Sequence, residues 1–136
     1  MPQLAVRMFG SPAILLDGES VVLPYRKAEA LLYYLIIERR APRRELVELL
    51  WEDTESSPAL KNLRHAAYTV RKALGMDLFL PGQRTVLELN PEISIQCDVL
   101  DFLWHGALEA YHGEFLAGFS LHGSSAFEEW LNNQRS

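Results

Sequence analysis

The chain has 136 residues, of which 49% are hydrophobic and 23% charged. This length predicts one globular domain, or one domain with an appendage, whose core needs no disulfide or metal. The single cysteine, Cys97, excludes an internal disulfide and argues against a structural zinc site. No apolar run reaches the roughly 20 residues that span a bilayer, and the start does not resemble a signal peptide, so we expect a cytoplasmic protein without a membrane span.

Charge is distributed unevenly along the chain. The net charge of −5 argues, taken alone, against a nucleic-acid partner. Between residues 61 and 84, however, five cations stand against one acid, Asp77, whereas from Thr85 onward one cation, Arg135, stands against eight acids. A local basic stripe of this kind is typical of a surface that contacts phosphates. The acidic C-terminal part indicates a surface with a different role.

The N-terminal residues predict a small antiparallel sheet. Alternating apolar residues favour a strand over 4–9. The apolar run Ala13–Leu16 leads into Asp17-Gly18, a pair typical of a tight hairpin turn. Residues 21–23 are the expected return strand.

Three helices are expected after this sheet. Apolar residues at helical spacing predict the first over 26–39. Pro42 is expected in the first turn of the second, where its missing N–H costs nothing. Ser57 as N-cap, with Pro58 behind it, begins the third helix, and Gly75 closes it.

A hairpin is expected directly behind the third helix, with Pro81-Gly82 as its turn between segments 78–80 and 85–89. Further helical segments are expected at 98–102, 107–111 and 125–133, the last with Ser125 and Glu128 as a capping box. The order predicts an α+β fold: a winged helix-turn-helix with an N-terminal antiparallel sheet, three helices and a C-terminal hairpin wing. The start of an all-α region follows.

The third helix carries the features expected of a DNA-reading helix. At about 100° per residue its apolar side chains collect on one face. The opposite face and its flanks carry hydrogen-bond donors and no acid; the candidates for DNA binding are Lys61, Asn62, Arg64, His65, Tyr68, Thr69, Arg71 and Lys72. An ordinary amphipathic surface helix also has a polar outer face, so the absence of acids over three turns, the following hairpin and the element order together favour the DNA interpretation.

These candidates divide by expected role. Central residues can reach base edges in a major groove, while flanking residues are better placed for phosphates. The expected base contacts are Lys61, His65, Tyr68 and Thr69. The expected phosphate contacts are Arg64, Arg71, Lys72 and Arg84, the last also a candidate for the minor groove near the hairpin tip. Alternatively, Arg64 or Arg71 pairs with an acid of the second helix such as Glu48.

Several motifs resemble a known family. Leu49-Leu50-Trp51, Asn62-Leu63-Arg64 and the run from Val70 to Gly75 resemble the OmpR/PhoB-like winged helices that carry a bacterial transcriptional activator domain, the SARP-like regulators. Cys97-Asp98-Val99 and Phe115-Leu116 resemble the entrance to that activator domain.

This resemblance implies a transcriptional activator that binds double-stranded DNA. The third helix would lie in the major groove and the wing on the minor groove, with a dimer on direct-repeat DNA. It also implies a winged-helix domain over 1–96. Residues 97–136 would begin a helical, TPR-like activator domain that continues beyond residue 136.

The loop between the second and third helices carries Glu52, Asp53 and Glu55 and no cation. Phosphates would repel three carboxylates, so we expect no DNA contact there. In the family that the chain resembles, the equivalent loop faces RNA polymerase, which makes these residues candidates for a polymerase contact. A solvated connector is the alternative.

The sequence also bears on other classes of function. A winged helix that serves as a protein–protein adaptor in a signalling protein, without DNA contact, also fits the overall acidity. We expect no enzymatic activity and no cofactor, since the sequence has no catalytic constellation and no glycine-rich phosphate loop. His105, His112 and His122 with Cys97 match no metal-ligand spacing, so no metal is expected.

Overall fold

The computed structural model describes residues 3–105, 113–121 and 123–135, without the side chains of Trp104 and His105. Two compact units alternate along the chain. The sheet unit comprises Met1–Val22, Ile93–Ser120 and Trp130–Ser136, and the helical unit comprises Leu23–Glu92 and Leu121–Glu129. The domain division expected between residues 96 and 97 stays a prediction, because compactness alone does not mark a domain boundary.

The described elements mix helices and strands, as the predicted α+β class requires. In chain order they are β1 (Leu4–Arg7), β2 (Ala13–Leu16), β3 (Glu19–Val21), α1 (Arg26–Glu38), β4 (Arg40–Pro42), α2 (Arg43–Leu50), α3 (Ser56–Leu74), β5 (Val86–Glu88), β6 (Ile95–Cys97), α4 (Asp98–His105) and α5 (Ser125–Arg135). The helix predicted over 107–111 lies outside the described residues, as do His112 and His122. None of the described helices is long and apolar enough to cross a membrane.

The sheet unit begins with the predicted hairpin. Asp17 and Gly18 join β2 to β3 with φ of 51° and 84°, the positive values that a type I′ turn requires. The return strand expected at 21–23 instead covers Glu19–Val21, because the two-residue turn places Glu19 directly opposite Leu16.

The sheet is mixed, which corrects the purely antiparallel sheet expected from the sequence. Its strand order is β3-β2-β1-β6, and β6 runs parallel to β1 with Leu4 opposite Ile95. Asp98, at the start of α4, fastens this junction: its carboxylate accepts the backbone N–H of Met8 at 2.8 Å and of Phe9 at 3.0 Å. Because the pairing of β6 with β1 joins segments far apart in sequence, no local sequence pattern predicts it.

The first two helices of the helical unit differ from prediction at their junction. α1 ends at Glu38, because Arg39 has a φ of 73° and leaves the helix. Residues 40–42 form β4, which the sequence did not predict. Pro42 is therefore the N-cap of α2 and not a residue of its first turn.

The third helix is close to its predicted length. It begins at Ser56 with Glu55 as N-cap and no side-chain capping bond, so the assignment of Ser57 as N-cap is wrong. Gly75 closes α3 as predicted, with a left-handed φ of 65° that glycine adopts without strain. α3 packs against α1 and α2 through its buried face.

The hairpin behind α3 is present and has an additional partner. Phe79 pairs with Leu89 in an antiparallel bridge, and the N–H of Leu80 donates to the carbonyl of Glu88 at 2.9 Å. β5 also pairs with β4, with Pro42 opposite Val86. The pairing with β4 ties the hairpin to the start of α2.

α5 begins in the helical unit, and its capping differs from prediction. The Glu128 carboxylate accepts the N–H of Leu121 at 3.0 Å instead of that of Ser125, so the predicted capping box is wrong. Ser124 precedes the helix, and its buried hydroxyl donates to the carbonyl of Leu50 at 3.2 Å. This hydrogen bond joins the start of α5 to the end of α2.

The interior of the helical unit contains large aromatic side chains. Tyr33, Tyr34 and Trp51 are all buried. Tyr33 donates its hydroxyl to Glu29 at 3.1 Å, and Tyr34 donates to Glu45 at 3.0 Å. Burial, followed by these carboxylates, raises the pKa of both phenols, so they remain neutral donors. These aromatic side chains therefore contribute to the packing of the core.

Candidate nucleic-acid interface

The solvent face of α3 holds the residues expected to contact DNA. Leu63, Ala66 and Val70 are fully buried on the opposite face, which sets the rotation of the helix. Thr69 is half-buried, and the other candidates are exposed: Lys61, Asn62, Arg64, His65, Tyr68, Arg71 and Lys72. The geometry that the helical periodicity predicts is confirmed, while the roles of the individual side chains stay predictions.

Two ring contacts organise this face. His65 stacks on Tyr25, with ring centroids 6.2 Å apart and planes inclined by 4°. Tyr25 is the N-cap of α1 and was not among the sequence candidates, because nothing local relates it to α3. The ammonium of Lys72 lies 5.9 Å from the Tyr68 ring centroid, within the range of a cation–π contact. Tyr68 is half exposed and remains available to a partner.

A cleft of about 530 Å³ lies between α3 and the hairpin. We call it the arginine cleft, because Arg43, Arg64, Arg71 and Arg84 all line it. The rest of its lining is largely apolar and includes Leu60, Ala67, Phe79, Leu80, Pro81 and Leu87. No acidic residue is among the described residues that line it. Three of the arginines were candidates from the sequence, and the cleft brings them together.

The fourth arginine, Arg43, was missed by the sequence analysis. Its backbone N–H donates to the carbonyl of Thr85 at 2.8 Å, and its Nη2 donates to the carbonyl of Gln83 at 3.1 Å. Its Nε is buried without a hydrogen-bond partner among the described residues. Burial, and next the charge of Arg64, lower the pKa of Arg43. The adjacent pair Arg43-Arg44 after Pro42 was the available signal, but its spacing fits any solvent-facing helix start.

The three carboxylates of the loop between α2 and α3 differ in their contacts. The Glu52 carboxylate accepts the N–H of Ser125 at 2.6 Å and its hydroxyl at 2.8 Å. These two hydrogen bonds lower the pKa of Glu52. Asp53 and Glu55 are exposed, and the Glu55 side chain makes no capping bond to α3. The three carboxylates that the sequence treated as equivalent therefore differ in what they contact.

The anticipated ion pair between Arg64 or Arg71 and Glu48 is not formed in the part of the chain that the structure describes. Both arginines are exposed and line the arginine cleft.

Among the described residues no cluster of three or more histidine, cysteine or acidic side chains is arranged to hold a metal ion. The chemistry of this face is therefore that of unneutralised cations and neutral donors.

Comparison with known proteins supports the fold. No protein-family model matches the chain, and no curated protein matches it in sequence. The structure is similar to that of EmbR from Mycobacterium tuberculosis, solved in complex with a low-affinity phosphopeptide, with a TM-score of 0.72 and 19% identity. The similarity covers 98% of this chain and 42% of the EmbR chain, so the chain spans less than half of that protein. The likeness supports an α+β fold of the winged-helix kind.

Proposed function

We propose that this chain is the sequence-specific DNA-binding part of a transcriptional activator. The observation that carries the proposal is the exposed face of α3, which presents cations and neutral donors without an acid from Lys61 to Lys72. α3 would enter the major groove, since a helix with this polarity suits a groove walled by phosphates. Arg84, exposed near the hairpin tip, would reach the adjacent minor groove.

Two further features support the proposal. The similarity to EmbR covers nearly the whole chain and supports the winged-helix fold that the sequence motifs also indicate. The arginine cleft lies beside α3, so the basic surface extends from the helix to the hairpin. A dimer on direct-repeat DNA and a helical activator region over 97–136 belong to the same proposal.

Salt-dependent binding tests the function directly. We expect the chain to bind a labelled duplex with an affinity that falls linearly with the logarithm of salt concentration, at a slope of about −0.9 per phosphate contacted. Selection from a random duplex library should then enrich one sequence. Absence of duplex binding at low salt would contradict the proposal and favour the protein–protein adaptor.

Single substitutions locate the surface. Lys61→Ala should weaken binding to the selected duplex, since this exposed side chain lies on the proposed reading face. Arg7→Ala is a suitable control, because Arg7 is an exposed cation on β1 of the sheet unit. Equal loss in both variants would show that general charge, and not α3, governs binding.

A further inference from the structure

The arginine cleft holds positive charge that the protein does not neutralise. None of its arginines forms an ion pair with a carboxylate in the described part of the chain. Arg43 and Arg64 are close enough for one charge to disfavour the other. Like charges held together destabilise each other, so an anion between them would be favoured. The cleft is therefore suited to an anionic ligand.

The guanidinium of Arg43 is held in place but has donors to spare. Its side chain makes one hydrogen bond among the described residues, from Nη2 to the carbonyl of Gln83. A guanidinium has five N–H donors and binds phosphate oxygens in pairs. In Arg43 the Nε–H is buried and one N–H of Nη2 is bonded to Gln83, so the donors left for a ligand are those of Nη1 and the second N–H of Nη2. The backbone N–H of Arg43 also donates to the carbonyl of Thr85, so both the backbone and the side chain of the arginine are held in place before any ligand binds. Such preorganisation lowers the entropic cost of binding.

The shape and lining of the cleft identify the ligand more closely. Its volume of about 530 Å³ is larger than one phosphate group requires. The apolar side chains of Leu60, Phe79 and Pro81 supply a surface on which a sugar could lie. A phosphate attached to a sugar matches this combination of cationic and apolar lining.

We propose that Arg43 and Arg64 bind one phosphate of the DNA backbone in the arginine cleft, with its deoxyribose against the apolar lining. The proposal rests on the proposed DNA-binding function and adds a contact from the start of α2. Arg43 would link the phosphate to the hairpin through its hydrogen bonds to Gln83 and Thr85. Because Arg84 lies between these two residues in the chain, the same hydrogen bonds would help to position Arg84. One backbone phosphate would then join α3, α2 and the hairpin.

The test uses the full 136-residue chain and a duplex of arbitrary sequence, about 30 base pairs long, because phosphate contacts do not depend on sequence. Arg43→Met removes the charge and keeps most of the apolar stem. For this variant we expect about tenfold weaker binding at low salt. The slope of log affinity against log salt concentration should decrease in magnitude by about one unit. Arg40→Met is the matched control, since Arg40 is exposed in the same unit and does not line the cleft. It should leave the slope unchanged.

A second pair of variants separates phosphate binding from a structural role. Arg43→Lys keeps the charge and loses the forked donor, so it should retain the slope and recover part of the affinity. If Arg43 merely holds the hairpin, Arg43→Met will weaken binding without changing the slope, which overturns the proposal. If both arginines are needed to hold one phosphate, Arg43→Met combined with Arg64→Met should lower the slope no further than Arg43→Met alone, by about one unit and not two. A loss of two units would assign them to separate phosphates and refute the shared site.

The remaining outcomes distinguish the proposal from the function on which it rests. If the parent chain binds no duplex, both fail. If the parent binds and Arg43→Met binds with the same affinity and slope, this proposal alone fails. Inorganic phosphate, compared with chloride at equal ionic strength, tests a free anion as the ligand. Stabilisation of the parent by phosphate, with duplex binding independent of Arg43, would make the cleft a small-anion site and overturn the proposal.

Discussion

Glu52 accepts two hydrogen bonds from Ser125, one from the backbone N–H at 2.6 Å and one from the hydroxyl at 2.8 Å. The carboxylate lies at the first residue of α5, where helix N–H groups lack internal partners and the helix dipole favours a negative charge. Glu52 thus caps a helix that begins 73 residues later in the chain. One carboxylate of the acidic loop has a structural role.

The Glu52–Ser125 contact predicts a pH-dependent contribution to stability. The hydrogen bonds from Ser125 lower the pKa of Glu52 in the folded state. A depressed carboxyl pKa stabilises the fold above the unfolded value, about 4.3 for glutamate, and this stabilisation is lost as pH falls through the folded pKa. Glu52→Gln should therefore lower the melting temperature at pH 7, and the difference from the parent should shrink below about pH 4. Thermal unfolding monitored by circular dichroism across this range measures it.

Asp53→Asn is the matched control for that experiment, because Asp53 is an exposed carboxylate of the same loop. Its melting temperature should follow that of the parent at every pH. A difference between Glu52→Gln and the parent that stays constant across the acid range would contradict the linkage to Glu52 ionisation.

The predicted polymerase contact comprises Glu52, Asp53 and Glu55, and of these Glu52 is engaged with Ser125, which leaves Asp53 and Glu55 for a test of the contact. Replacing both by Ser, while keeping Glu52, should reduce transcription activation and leave operator affinity unchanged, because charge complementarity would favour a basic patch on the polymerase. In vitro transcription and duplex binding, measured on the same regulator carrying this chain, check the prediction. Undiminished transcription would leave the loop as a solvated connector.

The His65–Tyr25 stack predicts coupling during base readout. His65→Ala should cost about 1–3 kcal/mol on the selected duplex and much less on an unrelated one. Tyr25→Leu should weaken specific binding through His65, with a coupling of about 0.5–1.5 kcal/mol in a double-mutant cycle. Binding isotherms of the two single variants and the double variant supply the measurement. Strictly additive losses would show that Tyr25 does not orient His65.

Cys97 should be chemically inert while the protein is folded. Burial raises the pKa of its thiol to about 11, and its Sγ lies 3.5 Å from the sulfur of Met8. At pH 8 only about one thiol in a thousand would then be ionised, against roughly one in four in an unfolded chain. Ellman's reagent should react on the order of 100-fold more slowly with the native than with the denatured protein. Similar rates in the two states would refute this.

The sequence by itself determined the features that depend on near neighbours. Leu63, Ala66 and Val70 recur at helical spacing, so the buried and solvent faces of α3 could be assigned before the fold was known. Asp17-Gly18 and Gly75 could be assigned because positive φ angles favour these residue types at a hairpin turn and a helix end. The α+β class and the position of the basic surface followed from these local features.

The tertiary structure alone decided which distant segments meet. The parallel pairing of β6 with β1, the pairing of β4 with β5 and the capping of α5 by Glu52 each join residues far apart along the chain. In the sequence, Arg43 is indistinguishable from any polar residue at the start of a helix. Only the fold brings its guanidinium to the carbonyl of Gln83 in the hairpin. The physical reason is that hydrophobic periodicity and turn preferences act over a few residues, whereas strand partners and shared clefts depend on the path of the whole chain.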